Sequence, residues 1–124
     1  MNWFATGAFA AGLGVVLGAF GAHALKARLS PEMLVIFETE VRYHMYHALA
    51  LLTAGWAATR WTSSAVGVAG WAFLAGIVIF SGSLYILAST GVRTWGAVTP
   101  FGGLAFIVGW LALAWAALRG SAAL

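Results

Sequence analysis

The chain has 124 residues, of which 63% are hydrophobic and 7% charged, and its net charge is +3. A soluble domain of this length could not bury so much apolar surface, so the composition predicts one small integral membrane domain over residues 1–124. The positive charge is too small and too dispersed for a nucleic-acid-binding surface. The chain has no cysteine, which excludes disulfides and thiol chemistry and leaves the compartment open.

Apolar segments suited to bilayer-spanning helices, which need about 20 residues, occur four times along the chain. They cover about residues 3–22, 43–59, 65–89 and 100–118. Ala22-His23-Ala24 resembles a signal-peptide cleavage site. However, the first segment lacks a basic start, and its apolar run exceeds the roughly 7–15 residues of a signal-peptide core. We therefore expect it to remain as a membrane anchor.

The second segment is short, and signals upstream of it indicate that its helix begins earlier. Ser30 is a suitable N-cap, Pro31 suits the first helical position, and Glu32 complements the helix dipole. These residues predict one helix from about residue 31 to 59. Its first turns, about residues 31–42, are amphipathic and expected at the interface, and the remainder enters the membrane.

The later spans carry further helix signals. Thr99 as a cap and Pro100 in the first turn predict the start of the fourth helix. Small residues also recur four positions apart, which lets helix backbones approach closely in lipid. These pairs are Gly14 with Gly18, Ala72 with Gly76, and Ala105 with Gly109. The predicted fold is therefore all-α: an integral membrane four-helix bundle with an amphipathic interfacial helix leading into the second span.

Outside residues 23–47, charged residues are few and lie at predicted helix ends, where they suit interfacial anchors. They are Arg60, Arg93 and Arg119. Several tryptophans lie near segment ends, where indole rings favour the headgroup region. They are Trp3, Trp56, Trp61 and Trp95.

Most of the ionisable side chains lie in one stretch: nine of the twelve Lys, Arg, Glu and His residues fall within residues 23–47. Ionisable groups in a membrane protein usually face an interface, a cavity or a partner. At 100° per residue, Glu40, His44 and His47 share one face of the second helix, which continues mostly with small residues. We expect that face to point into the bundle. The opposite, bulkier face is expected to contact lipid and carries Val41, Met45, Leu49, Leu52 and Trp56.

Other elements add polar residues to this set. On the first helix, His23 continues a stripe of mostly small residues, expected to pack on the second helix and to bring His23 near His47. The small members of that stripe are Ala5, Ala8, Gly12 and Ala19. Ser81 and Tyr85 are i,i+4 neighbours on the third span. The predicted functional polar cluster is therefore His23, Glu40, His44, His47, Ser81 and Tyr85.

A second charged pair lies on another side of the same helix. Glu38 and Arg42 have i,i+4 spacing in the favourable order, which predicts an exposed interfacial ion pair. Such a pair suits solvation of the helix at the interface better than catalysis.

Several chemistries are compatible with residues of this cluster. Glu40, His44 and His47 could together hold a metal, with His23 as a fourth zinc ligand, and His23 with His47 could ligate haem. A histidine beside a glutamate could also relay protons. Hydrolysis is disfavoured because no G-x-S-x-G motif and no aspartate is present. No catalytic residue and no cofactor is assigned, and a metal remains open.

Four blocks resemble a known family. Gly18-Ala-Phe-Gly-Ala-His23, Tyr43-His-Met-Tyr-His47, Phe80-Ser-Gly-Ser-Leu-Tyr85 and Thr99-Pro-Phe-Gly-Gly103 are similar to blocks of the domain of unknown function 423 family, in the family's order. The eukaryotic transmembrane protein 256 is similar. The resemblance implies a four-span protein of the bacterial plasma (inner) membrane without an assigned activity. It also implies Gln at position 44 in many members, which weakens the metal hypothesis and favours His23 and His47.

The membrane orientation follows from two opposing considerations. The count of basic residues places the first loop in the cytoplasm. Members of the resembling family tend instead to have a basic second loop and tail. We therefore expect both termini in the cytoplasm, against the raw count.

The sequence favours a non-enzymatic accessory or interaction module that contacts the lipid bilayer and either a membrane-protein partner or further copies of itself. The short loops, the lack of a catalytic set and the small-residue helix faces support this hypothesis. A small-solute or proton pathway lined by the polar cluster is the first alternative. A metal- or haem-binding redox membrane protein is the second. No nucleic-acid partner is expected.

Overall fold

The computed structural model describes residues 1–91 and 98–123. For residues 85, 88, 89 and 99 it describes the helical backbone and not the side chain. Four helices make up nearly all of this part of the chain. They are α1 (Trp3–Leu25), α2 (Pro31–Arg60), α3 (Ser64–Thr90) and α4 (Thr99–Arg119). The prediction of an all-α, four-helix protein is confirmed. The predicted connection over residues 91–96, with Arg93 and Trp95, lies outside the described residues apart from Gly91.

Three of the helices are long and apolar enough to cross a membrane by length and composition: Trp3–Leu25, Ser64–Leu84 and Pro100–Arg119. The remaining helix, α2, has the most ionisable residues but packs lengthwise between α1 and α3. The residue pairs in contact show that successive helices run antiparallel, and α4 packs mainly on α3. The chain therefore forms a bundle in which α2 and α3 are the inner pair.

The start of α2 agrees with its sequence signals. The Ser30 side chain accepts a hydrogen bond from the Met33 backbone N–H at 3.2 Å, and Pro31 is in the first turn. At α4 the expected cap is displaced by one residue, because Thr99 is already helical and Val98 occupies the cap position without a side-chain bond. Helix ends commonly differ by a residue in this way.

Two short features were not predicted. The middle of α1 is a π-helical turn, Val16–Gly21, between the α-helical parts Trp3–Val15 and Ala22–Leu25. In addition, the strands β1 (Trp61–Thr62) and β2 (Ser121–Ala122) pair antiparallel. This pairing fastens the end of the chain to the α2–α3 connection, at the same end of the bundle as the start of α1, where Trp3 packs on Gly70.

Glycines and aromatic rings fit together along the α3–α4 interface. Phe106 of α4 packs on Gly76, and Phe73 of α3 packs on Gly109. Phe80 repeats the arrangement on Gly102. Because a glycine leaves room for a ring to lie against the backbone, these positions give close helix packing without an apolar driving force from water. Two of the predicted small-residue pairs, those ending at Gly76 and Gly109, thus lie at this interface.

The prediction of which face of α1 packs on α2 is wrong. Ala8, Gly12 and His23 of the predicted stripe are exposed. The face that contacts α2 instead includes Gly7, where an added methyl group would lie 2.8 Å from the Ala48 carbonyl oxygen, and Gly14, beside the His44 ring. Gly7 and Ala8 differ by one residue, which is about 100° around a helix. Both stripes are rich in small residues, so periodicity alone could not decide between them.

The structure agrees with the predicted inward face of α2 but only partly with the predicted lipid-facing side. The inward face from Glu40 to Ala54 is buried as expected. On the face assigned to lipid, however, Val41 and Met45 lie against Gly18 and Gly14 of α1. The first two of the five residues assigned to that face are therefore in a helix contact.

Tryptophans differ in their environments. Trp3 was expected at the interface but is only 6% exposed, because its ring packs on Gly70 and meets Trp71 edge to face at 5.2 Å. At two helix ends, an arginine lies over an indole ring, as interfacial anchors would. These pairs are Arg60 with Trp56 and Arg119 with Trp115.

Candidate functional site

His44 is the most enclosed polar side chain of the described residues, with 1% of its surface exposed. Its Nε2 lies 2.7 Å from the Ala10 carbonyl oxygen of α1, and its Nδ1 lies 2.8 Å from the Ser81 hydroxyl of α3. A carbonyl can only accept, so Nε2 carries the proton and donates to Ala10. In the neutral ring, Nδ1 then accepts from Ser81. One side chain on α2 therefore joins three helices.

His47 lies one helical turn further along α2 and points to a different neighbour. Its Nε2 is 3.0 Å from the indole Nε1 of Trp110 on α4, and its Nδ1 is 2.6 Å from the Tyr43 carbonyl oxygen. Indole N–H is a donor only, so Nε2 must accept and Nδ1 must donate, which defines a neutral ring with the opposite tautomer to His44. The ring stacks on Phe106 with centroids 3.5 Å apart and planes 4° apart.

Together the two histidines join α2 to each of the other helices. His44 contacts α1 and α3, and His47 contacts α4. Each ring uses one nitrogen as a donor and the other as an acceptor, so both rings have their hydrogen-bonding capacity filled. In a low-dielectric interior, fully satisfied polar groups of this kind fix helix positions relative to one another. We call His44, His47, Ser81 and Trp110 the polar tie.

The remaining members of the predicted cluster are His23, Glu40 and Tyr85. His23 is exposed near the end of α1, so the structure does not bring it to His47, and that expectation is wrong. Glu40 is buried, at 4% exposure, one turn before His44. The Tyr85 side chain lies outside the described residues. Ser81 is the member that the structure brings directly to a histidine.

The predicted ion pair is also corrected. Glu38 and Arg42 are both exposed and both described, but no salt bridge joins them. They instead lie at a surface groove of about 570 Å³ between α1 and α2. Exposed i,i+4 pairs gain little in water, so their separation costs little.

A metal or haem site gains no support from this geometry. Within residues 1–91 and 98–123, no three His, Cys, Asp or Glu side chains converge as a metal site requires. A haem or zinc ligand needs a free imidazole nitrogen, whereas the nitrogens of His44 and His47 are engaged by protein groups. His44 and His47 also bond to groups on different helices.

Sequence reasoning missed the second half of the site. Trp110 and Phe106 are not among the predicted site residues, yet they provide the hydrogen bond and the stacking surface of His47. They also line an open groove of about 680 Å³ between α2 and α4, which we call the aromatic groove. Its residues are Tyr43, Tyr46, His47, Phe80, Pro100, Gly103, Phe106, Ile107 and Trp110. The density of aromatic residues in these segments was the available signal.

The fold and the polar tie define a small helical membrane protein whose buried histidines hold its helices together. Comparison with known sequences then identifies the family. Residues 17–103 match the family described as "Protein of unknown function (DUF423)", and the chain belongs to that family. The earlier resemblance is thereby confirmed.

Curated relatives cover most of the chain. The UPF0382 membrane protein YwdK of Bacillus subtilis is 47% identical over 114 residues, which are 91% of this chain and 93% of the relative. The UPF0382 membrane protein SERP0230 of Staphylococcus epidermidis is 50% identical over 113 residues, 91% of this chain and 92% of the relative. No solved structure matches the chain significantly. The relatives establish a bacterial family of membrane proteins, in contact with the lipid bilayer.

Proposed function

We propose that this protein is a non-enzymatic accessory module of the bacterial plasma membrane that binds a transmembrane helix of a partner protein in the aromatic groove. The observation that carries the proposal is the groove itself, which α2 and α4 leave open while α3 packs on both of them. In lipid, helices associate through shape and packing, so an open, rigid groove is a place where another helix gains contacts.

The shape of the aromatic groove suits a helix. It extends along α4 from Pro100 to Trp110, which corresponds to about 15 Å of helix, or nearly three turns. Gly103 lies on its floor, and a methyl group added there would meet no atom within 4 Å. A missing side chain at the centre of a groove allows a helix backbone to approach closely. Tyr46 and Ile107, both about half exposed, form its edges.

The polar tie supports a non-enzymatic role. A general acid or base must reach a proton of its substrate. Each ring nitrogen of His44 and His47 is instead bonded to a group of the protein. These histidines act as fixed supports for the walls of the groove, since His47 is held by Trp110 and stacked on Phe106, both of which line it.

The proposal includes a membrane placement. Residues 43–59 of α2 form a fourth span, residues 31–42 lie at the interface as an amphipathic segment, and both termini are cytoplasmic. Pairing of β1 with β2 and packing of Trp3 on Gly70 support a common side for the two termini. Arg60 and Arg119, at that end of the bundle, support its cytoplasmic location through the preference of basic residues for the inner side.

Site-specific photocrosslinking in native membranes tests the partner. A benzophenone amino acid at Ile107 reports on the aromatic groove, and the same probe at Val78, exposed on α3, is the control. We expect an adduct with a different membrane protein at Ile107 and none at Val78. Gly103→Leu fills the groove and should abolish the adduct, while Gly82→Leu, also directed into open space, should preserve it.

Three outcomes would contradict this function. An adduct containing only lipid would make the groove part of the lipid-facing surface. An adduct of twice the 12.9 kDa chain mass would replace the partner with a second copy. An adduct that survives Gly103→Leu would place the contact outside the groove.

The membrane placement has its own test, which the absence of native cysteine makes direct. Single cysteines at Thr39, Thr53 and Thr59, all exposed on α2, are labelled with a membrane-impermeant thiol reagent on intact cells and on inverted vesicles. Labelling of position 39 from outside, of position 59 from inside and of position 53 from neither is expected. Labelling of position 53 from either side would contradict the fourth span.

A further inference from the structure

A second groove lies on the opposite side of α2 from α4, between α2 and the π-helical turn of α1. Its volume is about 570 Å³. Gly14, Gly18 and Ala22 form one wall, and Val41 and Met45 form the other. A π-helical turn is wider than an α-helical one, and here its small residues face the groove, so a shallow groove remains above the contacts of Gly14 with Met45 and of Gly18 with Val41. The groove is apolar along its length and charged at one end.

The charges at that end come from Glu38 and Arg42. Four residues of α-helix rise about 6 Å, so the two groups are one turn apart along α2. They do not pair with each other, and both are exposed. Among the described residues, no other charged side chain lines this groove. One carboxylate and one guanidinium thus lie one helical turn apart at one end of an apolar groove.

Their order along the helix carries the argument. Met45, beside Gly14, is the groove residue of α2 nearest to the predicted span, Arg42 lies about one turn closer to the start of α2, and Glu38 lies a further turn closer. From the membrane outward the groove therefore presents an apolar surface, a positive charge and a negative charge. A phospholipid with an ethanolamine headgroup presents acyl chain, phosphate and ammonium in the same order, each complementary to the groove.

We propose that the groove between α1 and α2 binds a phospholipid with a primary ammonium headgroup, with its phosphate at Arg42, its ammonium at Glu38 and one acyl chain along Gly18 and Met45. Guanidinium is the side chain best matched to phosphate, because its N–H groups form paired hydrogen bonds. A primary ammonium donates three hydrogen bonds, so Glu38 selects it over a trimethylammonium group, which donates none. This inference uses the placement of α2 in the membrane proposed above and is independent of the aromatic groove.

The proposal predicts a pattern of lipid preference that two matched variants separate. Native mass spectrometry of delipidated protein in detergent is recorded with added phosphatidylethanolamine, phosphatidylglycerol or phosphatidylcholine. Wild type should retain phosphatidylethanolamine most strongly. Glu38→Gln should lower its preference over phosphatidylglycerol about two- to fivefold, which is the value of one exposed ion pair. Arg42→Gln should weaken binding of all three lipids.

Control variants remove one negative and one positive charge at positions outside the groove. Glu32→Gln and Arg60→Gln lie outside the groove and should leave the preference unchanged. Ala19→Trp fills the apolar part of the groove and should weaken the binding of all three lipids without altering their order of preference. Circular dichroism in the same detergent establishes that each variant is folded, and Glu38, Arg42 and Ala19 are exposed positions where substitution leaves the core intact.

Two results would overturn the proposal. Equal retention of the three lipids by the wild type would mean that the charged pair does not select a headgroup. An unchanged preference in Glu38→Gln would mean that the ammonium does not lie at this carboxylate. If cysteine labelling refutes the fourth span while the lipid preference still depends on Glu38, the site stands and the membrane placement fails.

Discussion

The role of His44 as a hydrogen-bonded support can be tested by exchanging the imidazole for side chains of different capacity. His44→Gln replaces it with an amide, which has an N–H donor for the Ala10 carbonyl and an oxygen that accepts from Ser81. His44→Leu fills a similar volume with neither group. A structural tie requires one donor and one acceptor, which Gln supplies. A metal ligand or a proton carrier requires the imidazole itself.

The expected free energies follow from the two bonds. In membrane proteins an interhelical hydrogen bond contributes about 0.6 kcal/mol on average, and in proteins generally about 0.5–1.5 kcal/mol. Loss of both bonds in His44→Leu should therefore cost about 1–3 kcal/mol. The remaining partners limit the penalty, because Ala10 keeps its helical bond and Ser81 can turn to a carbonyl of its own helix. We expect His44→Gln to remain within about 1 kcal/mol of wild type.

Unfolding by sodium dodecyl sulfate in mixed micelles, followed by circular dichroism, measures these differences. Ser81→Ala, alone and combined with His44→Leu, completes a double-mutant cycle that isolates the bond between the two residues. A coupling energy near zero would refute the tie between α2 and α3. Equal destabilisation by His44→Gln and His44→Leu would show that the imidazole has a role beyond one donor and one acceptor.

Further substitutions probe the remaining contacts. Trp110→Phe removes the N–H that His47 accepts and leaves a buried nitrogen unsatisfied, so we expect a loss of about 1–3 kcal/mol in the same assay, and a neutral result would contradict the assigned tautomer. Gly7→Ala places a methyl group 2.8 Å from the Ala48 carbonyl oxygen and should destabilise by about 1–3 kcal/mol through overpacking. Gly12→Ala meets no atom within 4 Å and serves as its control, with unchanged or slightly raised stability; similar losses in both glycine variants would place the α1–α2 contact elsewhere.

The three surfaces of α2 correspond to one structural feature and two proposed binding sites. One face holds the polar tie, the side toward α4 forms a wall of the aromatic groove, and the side toward α1 bears Glu38 and Arg42. Rigid support of the first face matters for the second, since an open groove in a mobile bundle would close on itself. The proposed partner site and the proposed lipid site are thus built on one central helix.

Composition and local signals by themselves determined the class of protein and its elements. A chain this short and this apolar is expected to form membrane helices, because it is too small to shield its apolar segments from water in a soluble fold. The start of α2 could also be predicted from local sequence, since Ser30 and Pro31 act on backbone groups within three residues. The burial of Glu40, His44 and His47 followed from helical period alone.

The tertiary structure decided which groups meet. Two stripes of α1, offset by one residue, are both rich in small side chains, and only the close approach of backbones at Gly7 and the bond from His44 to Ala10 select between them. The same holds for His47, whose partner Trp110 lies 63 positions away. Helical period gives the direction of a side chain on its own helix and carries no information on the rotation of the next one. Which polar groups are free for chemistry, and which are used to hold the fold, depends on that rotation.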